Sequence, residues 1–268
     1  MPKPTLSVLL AYYNEVDYLP ATLASLLAQR RLPDQLVLVD NGSDDASARL
    51  CRELLAQAPF AVVYEHQPVP GTLPALHKGL AAVRGEWTVH CDADTYYPPH
   101  YLERVEQLIA EAPPCINAIM GLSIPGPPES RASKRLIAER LALHRRYPTR
   151  CFTGGCAQTF RTRDLREVGG WWTERWPYVL GDHEIVHRLM KRGRSVYDAE
   201  LWCRASDRRQ DQKSVRWTLL ERMLYRNLGD RFADWFFYSF LARRFRKRGM
   251  SYTNLRKREW AAEASVAS

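Results

Sequence analysis

Asp92-Ala93-Asp94 follows the apolar run Glu86 to Cys91 and sets two carboxylates two residues apart. In extended or turn geometry such a pair can share one hard divalent cation, and Mg²⁺ or Mn²⁺ favours these oxygen ligands in company with phosphates. Carboxylates this close repel one another unless something positive sits between them. The plainer alternative is an Asp-x-Asp tripeptide that caps the following helix. Two more polar clusters also follow apolar runs: Tyr12-Tyr13-Asn14-Glu15, and Asp40-Asn41-Gly42-Ser43-Asp44-Asp45.

His183-Glu184-Ile185-Val186-His187 presents a different chemistry, since it satisfies the HExxH pattern in which two histidines one turn apart bind zinc and the glutamate acts as base. The chain continues Arg188-Leu189-Met190-Lys191-Arg192-Gly193, without the third ligand a zinc protease needs. The rival reading is a helix opened by Gly181-Asp182, with Ile185, Val186, Leu189 and Met190 facing the core. Glu184 and Arg188 then pair on the opposite face, for only tenths of a kcal/mol.

The elements that must position these groups are legible as periodicity. Strand-like runs at Thr5 to Tyr12, Gln35 to Val39, Ala61 to Tyr64 and Glu86 to Cys91 alternate with helical patterns beginning near Leu19, Asp44 and Pro74. Such βαβ alternation predicts a doubly wound, Rossmann-like, mostly parallel α/β sheet. Ligands bind such sheets beyond the carboxyl ends of the strands, where all three polar clusters fall. Further on, the pattern predicts helices at Pro98 to Ala110, Ser130 to Tyr147 and Ile185 to Arg192, and strands at Ile116 to Leu122, Ala157 to Arg161 and Ser195 to Trp202.

Composition narrows the class. With 268 residues, 46% hydrophobic and 6 cysteines, the chain is neither disordered nor a disulfide scaffold. No CxxC pair occurs, so buried reduced thiols in a cytoplasmic protein are expected. The first apolar stretch is too short for a signal peptide, and Trp235 to Ala242 is too short to span a bilayer. The net charge of +9 is uneven: residues 1–200 hold 23 basic and 23 acidic side chains, and residues 201–268 hold 16 and 7.

Taken together and in order, Ser7 to Glu15, Val39 to Asp45, Gly71 to Gly79, Gly85-Glu86, Asp92-Ala93-Asp94, Gly169-Gly170-Trp171 and Gly181-Asp182-His183-Glu184 resemble the successive signatures of glycosyltransferase family 2. The resemblance covers roughly residues 5–210. It implies a GT-A fold, a nucleoside diphosphate sugar as donor, Mn²⁺ or Mg²⁺ as cofactor, and inverting transfer. Carried over position by position, Tyr12, Asn14, Glu15 and Asp40 resemble the floor for base and ribose. Asp92 resembles the residue near the ribose and metal, Asp94 the metal ligand, and Asp182 the catalytic base, although an N-cap role suits Asp182 equally. Gly155, Trp171, Trp172 and Glu184 are candidates for the acceptor pocket. Two departures stand out: Asn41 replaces a frequent second acid, and Arg204-Ala205-Ser206-Asp207-Arg208-Arg209 stands where many members carry a metal-side histidine. Arg208 and Arg209 are therefore candidates for gripping diphosphate oxygens.

The expected organisation is a catalytic domain over 1–212 and a basic, aromatic helical extension over 213–268. Residues 231–258 mix aromatics with Arg and Lys, as an interfacial helix on an anionic membrane does, which predicts peripheral association at the cytoplasmic face and a lipid or cell-envelope acceptor. The alternative is aromatics packed on the catalytic domain. Nucleotidyl transfer, zinc proteolysis and nucleic-acid binding are the rival functions; Tyr12-Tyr13-Asn14-Glu15 lacks the glycines of a phosphate loop, and nucleic acid is not the expected partner of the basic tail.

Overall fold

The computed structural model describes residues 3–171, 173–206 and 217–251. Its first part runs β1 (Leu6–Tyr12), α1 (Leu19–Leu27), β2 (Gln35–Asp40), α2 (Ser47–Leu54), β3 (Ala61–His66), α3 (Thr72–Ala82) and β4 (Trp87–Asp92). The sheet order β3-β2-β1-β4 is parallel throughout this part. Alternation along β1 explains the two layers. Leu6, Val8, Leu10 and Tyr12 face α1 and Cys51 of α2, while Leu9 joins Val37 and Val39 under α3. Helix α3 lies close because Gly79 faces the sheet: a Cβ there would stand 2.4 Å from Leu9 Cδ1 and 2.6 Å from Val39 Cγ2.

Beyond β4 come β5 (Thr95–Tyr96), α4 (Tyr101–Glu111), β6 (Ile116–Ser123), α5 (Arg131–Arg146), β7 (Gln158–Arg161), α6 (Thr162–Glu167), α7 (Gly181–Leu189) and β8 (Arg194–Ala205). They extend the sheet as β4-β7-β6-β8-β5. Among the described residues four strand pairs are parallel, and the pairs made by β7 and β5 are antiparallel. The mostly parallel layer is thus a parallel half joined to a mixed half. Periodicity alone does not reveal β5, whose two residues pair Thr95 with Ala205 and Tyr96 with Arg204. Pairing across that distance folds the Asp92–Asp94 turn from the end of β4 towards the end of β8.

Helix α7 begins at Gly181, as the helix opened by Gly181-Asp182 requires, and four residues before the Ile185 start that periodicity alone suggests. Its first residues follow Leu180, which adopts a left-handed backbone with φ of 62°. Cys91, Cys151, Cys156 and Cys203 are buried free thiols, whereas Cys115 is exposed at the entry to β6.

The expected boundary near residue 212 falls outside the described residues. Beyond it, α8 (Leu219–Asn227), a π-helical segment Trp235–Leu241 and α9 (Ala242–Lys247) pack against the loop before α7. Phe236, Phe237, Leu241 and Phe245 are buried with Trp176, Tyr178 and Val179. Trp176 meets Phe237 edge-on at 5.7 Å, and Tyr178 bridges to Ser251. Most aromatics expected on a membrane therefore fill a third core cluster, where Phe236, Phe237 and Phe245, with Tyr238 and Phe240 partly buried beside them, leave water and pack on one another. Glu221, fully buried, draws Arg244 and Arg248 into the same assembly at 2.7 and 2.6 Å.

Candidate active site

The three polar strand ends meet at one edge of the sheet, held by side-chain hydrogen bonds between neighbouring loops. Asn14 Nδ2 donates to Asp44 Oδ1 at 2.6 Å, and Asp44 N donates back to Asn14 Oδ1 at 3.0 Å. Glu15 N donates to Ser47 Oγ and Val16 N to Asp45 Oδ2, so the loops after β1 and β2 are laced together. Asn14 takes a positive φ of 49° to make these bonds. Among the described residues, Asn14 and Leu180 are the two non-glycine residues with positive φ, one in the loop after β1 and the other immediately before α7; strain held in place by surrounding contacts is common at functional sites.

Some of the expected donor residues serve the scaffold. Tyr12 is buried in the core beside Cys51, and burial raises its phenol pKa strongly. Asn14 spends its side-chain amide on Asp44. Asp40 remains partly open, with Oδ1 accepting from Ser43 N at 2.9 Å and Oδ2 3.6 Å from His66 Nδ1. Asn41, the departure from an acid, has a structural cause. Its buried amide donates to Gln67 O at 2.8 Å and Val69 O at 2.7 Å, while its Oδ1 accepts from Gly71 N at 2.7 Å. An ionised aspartate has no hydrogen to donate to those carbonyls.

At β4, Tyr97 Oη accepts from Asp92 N at 3.0 Å and donates to Cys156 O at 2.9 Å. Thr22 Oγ1 donates to Ala93 O and accepts from Thr95 N, which pins the turn from the other side. Asp92 Oδ1 lies 3.4 Å from Nε2 of buried His90. Asp94 accepts from Ser206 Oγ at 3.2 Å and lines an open cleft of about 360 Å³ with Tyr18, Thr22, Tyr96, Arg204 and Ser206. Arg204 and Ser206 reach the cleft because β8 ends beside β5; Arg204 also stands 5.6 Å from the centre of the Tyr96 ring. Arg208 and Arg209 lie outside the described residues, as does Trp172.

The donor set at this turn suits a hard cation. Asp94 offers carboxylate oxygen at the wall of a polar cleft, and no cluster of three His, Cys, Asp or Glu side chains that could hold a metal occurs among the described residues. A cation bound here would complete its shell with phosphate and water, the usual habit of Mg²⁺ and Mn²⁺.

His90, the one histidine of β4, is the residue that sequence reasoning passed over. Its ring meets Trp171 edge-on at 5.5 Å, and a Cβ on Gly155 would stand 2.7 Å from its Cε1. Gly155 is therefore small because it covers His90, and Trp171, 2% exposed, forms the wall behind it. Burial alone would raise the Asp182 pKa; the charge and hydrogen bonds of His183, with a smaller contribution from His90, outweigh it and hold the carboxyl below its usual value. Asp182 is then an anion at neutral pH.

The other polar residues of the HExxH stretch are engaged. His187 Nε2 lies 2.8 Å from Asp234 Oδ1, and its ring stacks on Phe237. Glu184 is 1% exposed; both its oxygens accept from Arg188 at 2.8 Å, and Oε1 also accepts from Tyr238 Oη at 2.6 Å. This corrects two expectations. Glu184 is walled off from any acceptor, and its pair with Arg188 is a buried strut that also ties Gly170 O, not an exposed pair. Removing one partner of such a buried pair typically costs about 3–5 kcal/mol, well above the tenths of an exposed one.

Comparison with known proteins agrees with this architecture. The sequence model described as glycosyl transferase family 2 matches residues 7–169, more than half of the chain. The chain belongs to glycosyl transferase family 2. A relative from Pseudomonas fluorescens, undecaprenyl-phosphate 4-deoxy-4-formamido-L-arabinose transferase, is 36% identical over 111 residues, covering 40% of this chain and 32% of that protein. The chain spans about a third of the length of the curated relatives it matches. Among solved structures, a mannosyltransferase from Pyrobaculum calidifontis in complex with GDP-Man and Mn²⁺ superposes with a TM-score of 0.60 at 21% identity, over 76% of this chain and 57% of that one. S. aureus TarS 1-349 in complex with UDP-GlcNAc gives 0.60 at 16% identity, over 93% and 74%. At these identities the likeness establishes the fold, which is the GT-A fold.

Proposed function

We propose that this family 2 protein transfers a sugar from a nucleoside diphosphate sugar to an acceptor hydroxyl with inversion at the anomeric carbon. The observation that carries the reading is the polar cleft lined by Asp94 beyond β4, in a chain whose Asp182, at the start of α7, is held as an anion. Asp40 and the backbone of the Asn14–Glu15 loop receive the base and ribose, while Tyr12 and Asn14 brace that floor. Asp94, with Asp92 beside it, holds Mn²⁺ or Mg²⁺; the cation supplies positive charge against the leaving diphosphate. Arg204 and Ser206 line the same cleft. Asp182 accepts the acceptor's proton as its oxygen bonds to the anomeric carbon and the carbon–phosphate-oxygen bond breaks. Structures of the same fold solved with GDP-Man and Mn²⁺ or with UDP-GlcNAc support the donor class.

A panel of nucleotide sugars tested by thermal shift with and without Mn²⁺ is the direct test. One donor at 100 times its dissociation constant is expected to add about 2.7 kcal/mol of stability in the presence of the cation. No stabilisation by any nucleoside diphosphate or its sugars would sink the reading.

A lipid-linked acceptor, reached from the membrane surface, is the second part of the proposal, supported by a relative that acts on undecaprenyl phosphate. No helix among the described residues is long and apolar enough to cross a membrane. The membrane-facing surface moves from the aromatic core to the outer face of α8. There Leu219, Leu220 and Met223 are 76%, 50% and 56% exposed, and helical geometry sets Arg222 and Arg226 along one side of them. Co-sedimentation with vesicles rich in anionic phospholipid is expected for the full chain and is expected to be lost in Leu219→Glu/Met223→Glu. Equal pelleting of both proteins would refute this surface.

A further inference from the structure

We propose that Trp217 and Tyr225, from the C-terminal segment, hold the His183 imidazole against Asp182 and so orient the carboxylate that takes the acceptor's proton. The inference rests on the assignment of Asp182 as base. Oδ1 of Asp182 accepts twice from His183, from the backbone N and from ring Nδ1, each at 3.0 Å. Among the described residues Oδ2 has no hydrogen-bond donor, and the side chain is 23% exposed. One oxygen is thereby anchored and the other is presented.

The anchor works only if the imidazole cannot swing away, and its neighbours come from beyond residue 216. The ring centres of Trp217 and Tyr225 lie 5.4 and 5.6 Å from that of His183 and 4.9 Å from each other. Trp217 stacks on buried Phe236 at 13°. Tyr225 is fixed at both ends: Oη accepts from Cys151 N at 2.7 Å and donates to Cys151 O at 3.3 Å, and Arg150 stands 5.7 Å from its ring centre. A nitrogen facing a carboxylate carries the proton, so the Nδ1–H tautomer is the one this cage selects. His183, Trp217 and Tyr225 are positioning residues, and the C-terminal helices are part of the catalytic apparatus through them.

Two measurements on the full chain test this. The first, independent of any donor, is the ¹⁵N spectrum of histidine-labelled protein at neutral pH. The His183 signal is expected to report Nδ1–H in the wild type, to lose that preference in Trp217→Ala, and to regain it in Trp217→Phe. A wild-type signal with the proton on Nε2, or no change in Trp217→Ala, overturns the proposal. The second follows release of nucleoside diphosphate from the donor chosen by thermal shift. His183→Phe keeps a ring in the cage and deletes the hydrogen bond, so kcat is expected to fall about 10- to 100-fold with little change in KM. Its acid limb is expected to move to higher pH, because the group that depresses the Asp182 pKa is gone. A wild-type kcat and acid limb in His183→Phe, beside an inactive Asp182→Asn, removes the positioning role and leaves the base. A fully active Asp182→Asn removes the base and this inference with it.

Discussion

Asp182→Asn is expected to lower turnover about 10²- to 10⁴-fold while the donor still binds. The substitution preserves shape: the asparagine carbonyl oxygen can still accept from His183 N and Nδ1, and Leu180 still sets the start of α7. What is lost is the anion. Asp182 stands in the first turn of α7, where a negative charge contributes about 0.3–1 kcal/mol, so the variant should fold nearly as well as the parent. The pH dependence follows the same logic. Because the folded protein depresses the Asp182 pKa, the carboxylate stays ionised as pH falls past the ordinary aspartate value, and activity is lost only below it. The Asn variant should show no acid limb from this group. Single-turnover rates and donor affinity, measured side by side, decide the matter. Donor binding lost together with turnover would move Asp182 from the acceptor side of the reaction to the donor side.

The second large effect is expected at Asp94. In Asp94→Ala, the cation-dependent part of donor stabilisation should vanish, a loss of up to about 2.7 kcal/mol when donor is present at 100 times its dissociation constant. Stability without ligand is measured in the same series, because the substitution also removes the bond from Ser206 Oγ. Thermal shift with donor and Mn²⁺ together, each alone, and neither, separates these quantities. An Asp94→Ala protein that still gains stability from Mn²⁺ with donor would place the cation elsewhere. Asp92 would then be the next residue to change, although its Oδ1 already faces His90.

Much of this was legible before any coordinates. Near-continuous leucines and valines in β1 and β2, with leucines spaced by three and four in the intervening helices, suffice to predict a parallel layer with polar strand ends, because burial on both faces demands an unbroken apolar run. The ordered signatures also identify the family. Legibility declined after β4. The strand β5 has two residues and no periodicity to show, yet it aims the Asp92–Asp94 turn. His90 looked like part of a strand, and only packing shows that Gly155 and Trp171 enclose it. Glu184 looked solvent-exposed by helical spacing, but a second layer of helices covers that face and makes its pair with Arg188 internal.

The sequence by itself determined the parallel half of the sheet, the family and the carboxylates that end its strands, since these depend on local spacing and on a hydrophobic pattern that a single layer can satisfy. Only the tertiary structure decided which polar residues face a ligand and which brace a loop. Asn14, Asn41 and Glu184 carry suitable chemistry but spend it on Asp44, on backbone carbonyls and on Arg188. It also decided where the C-terminal aromatics go, because one segment's rings are equally suited to lipid or to a protein core. That choice turns on whether a complementary surface exists elsewhere in the chain, and Trp176, Tyr178 and Val179 provide it.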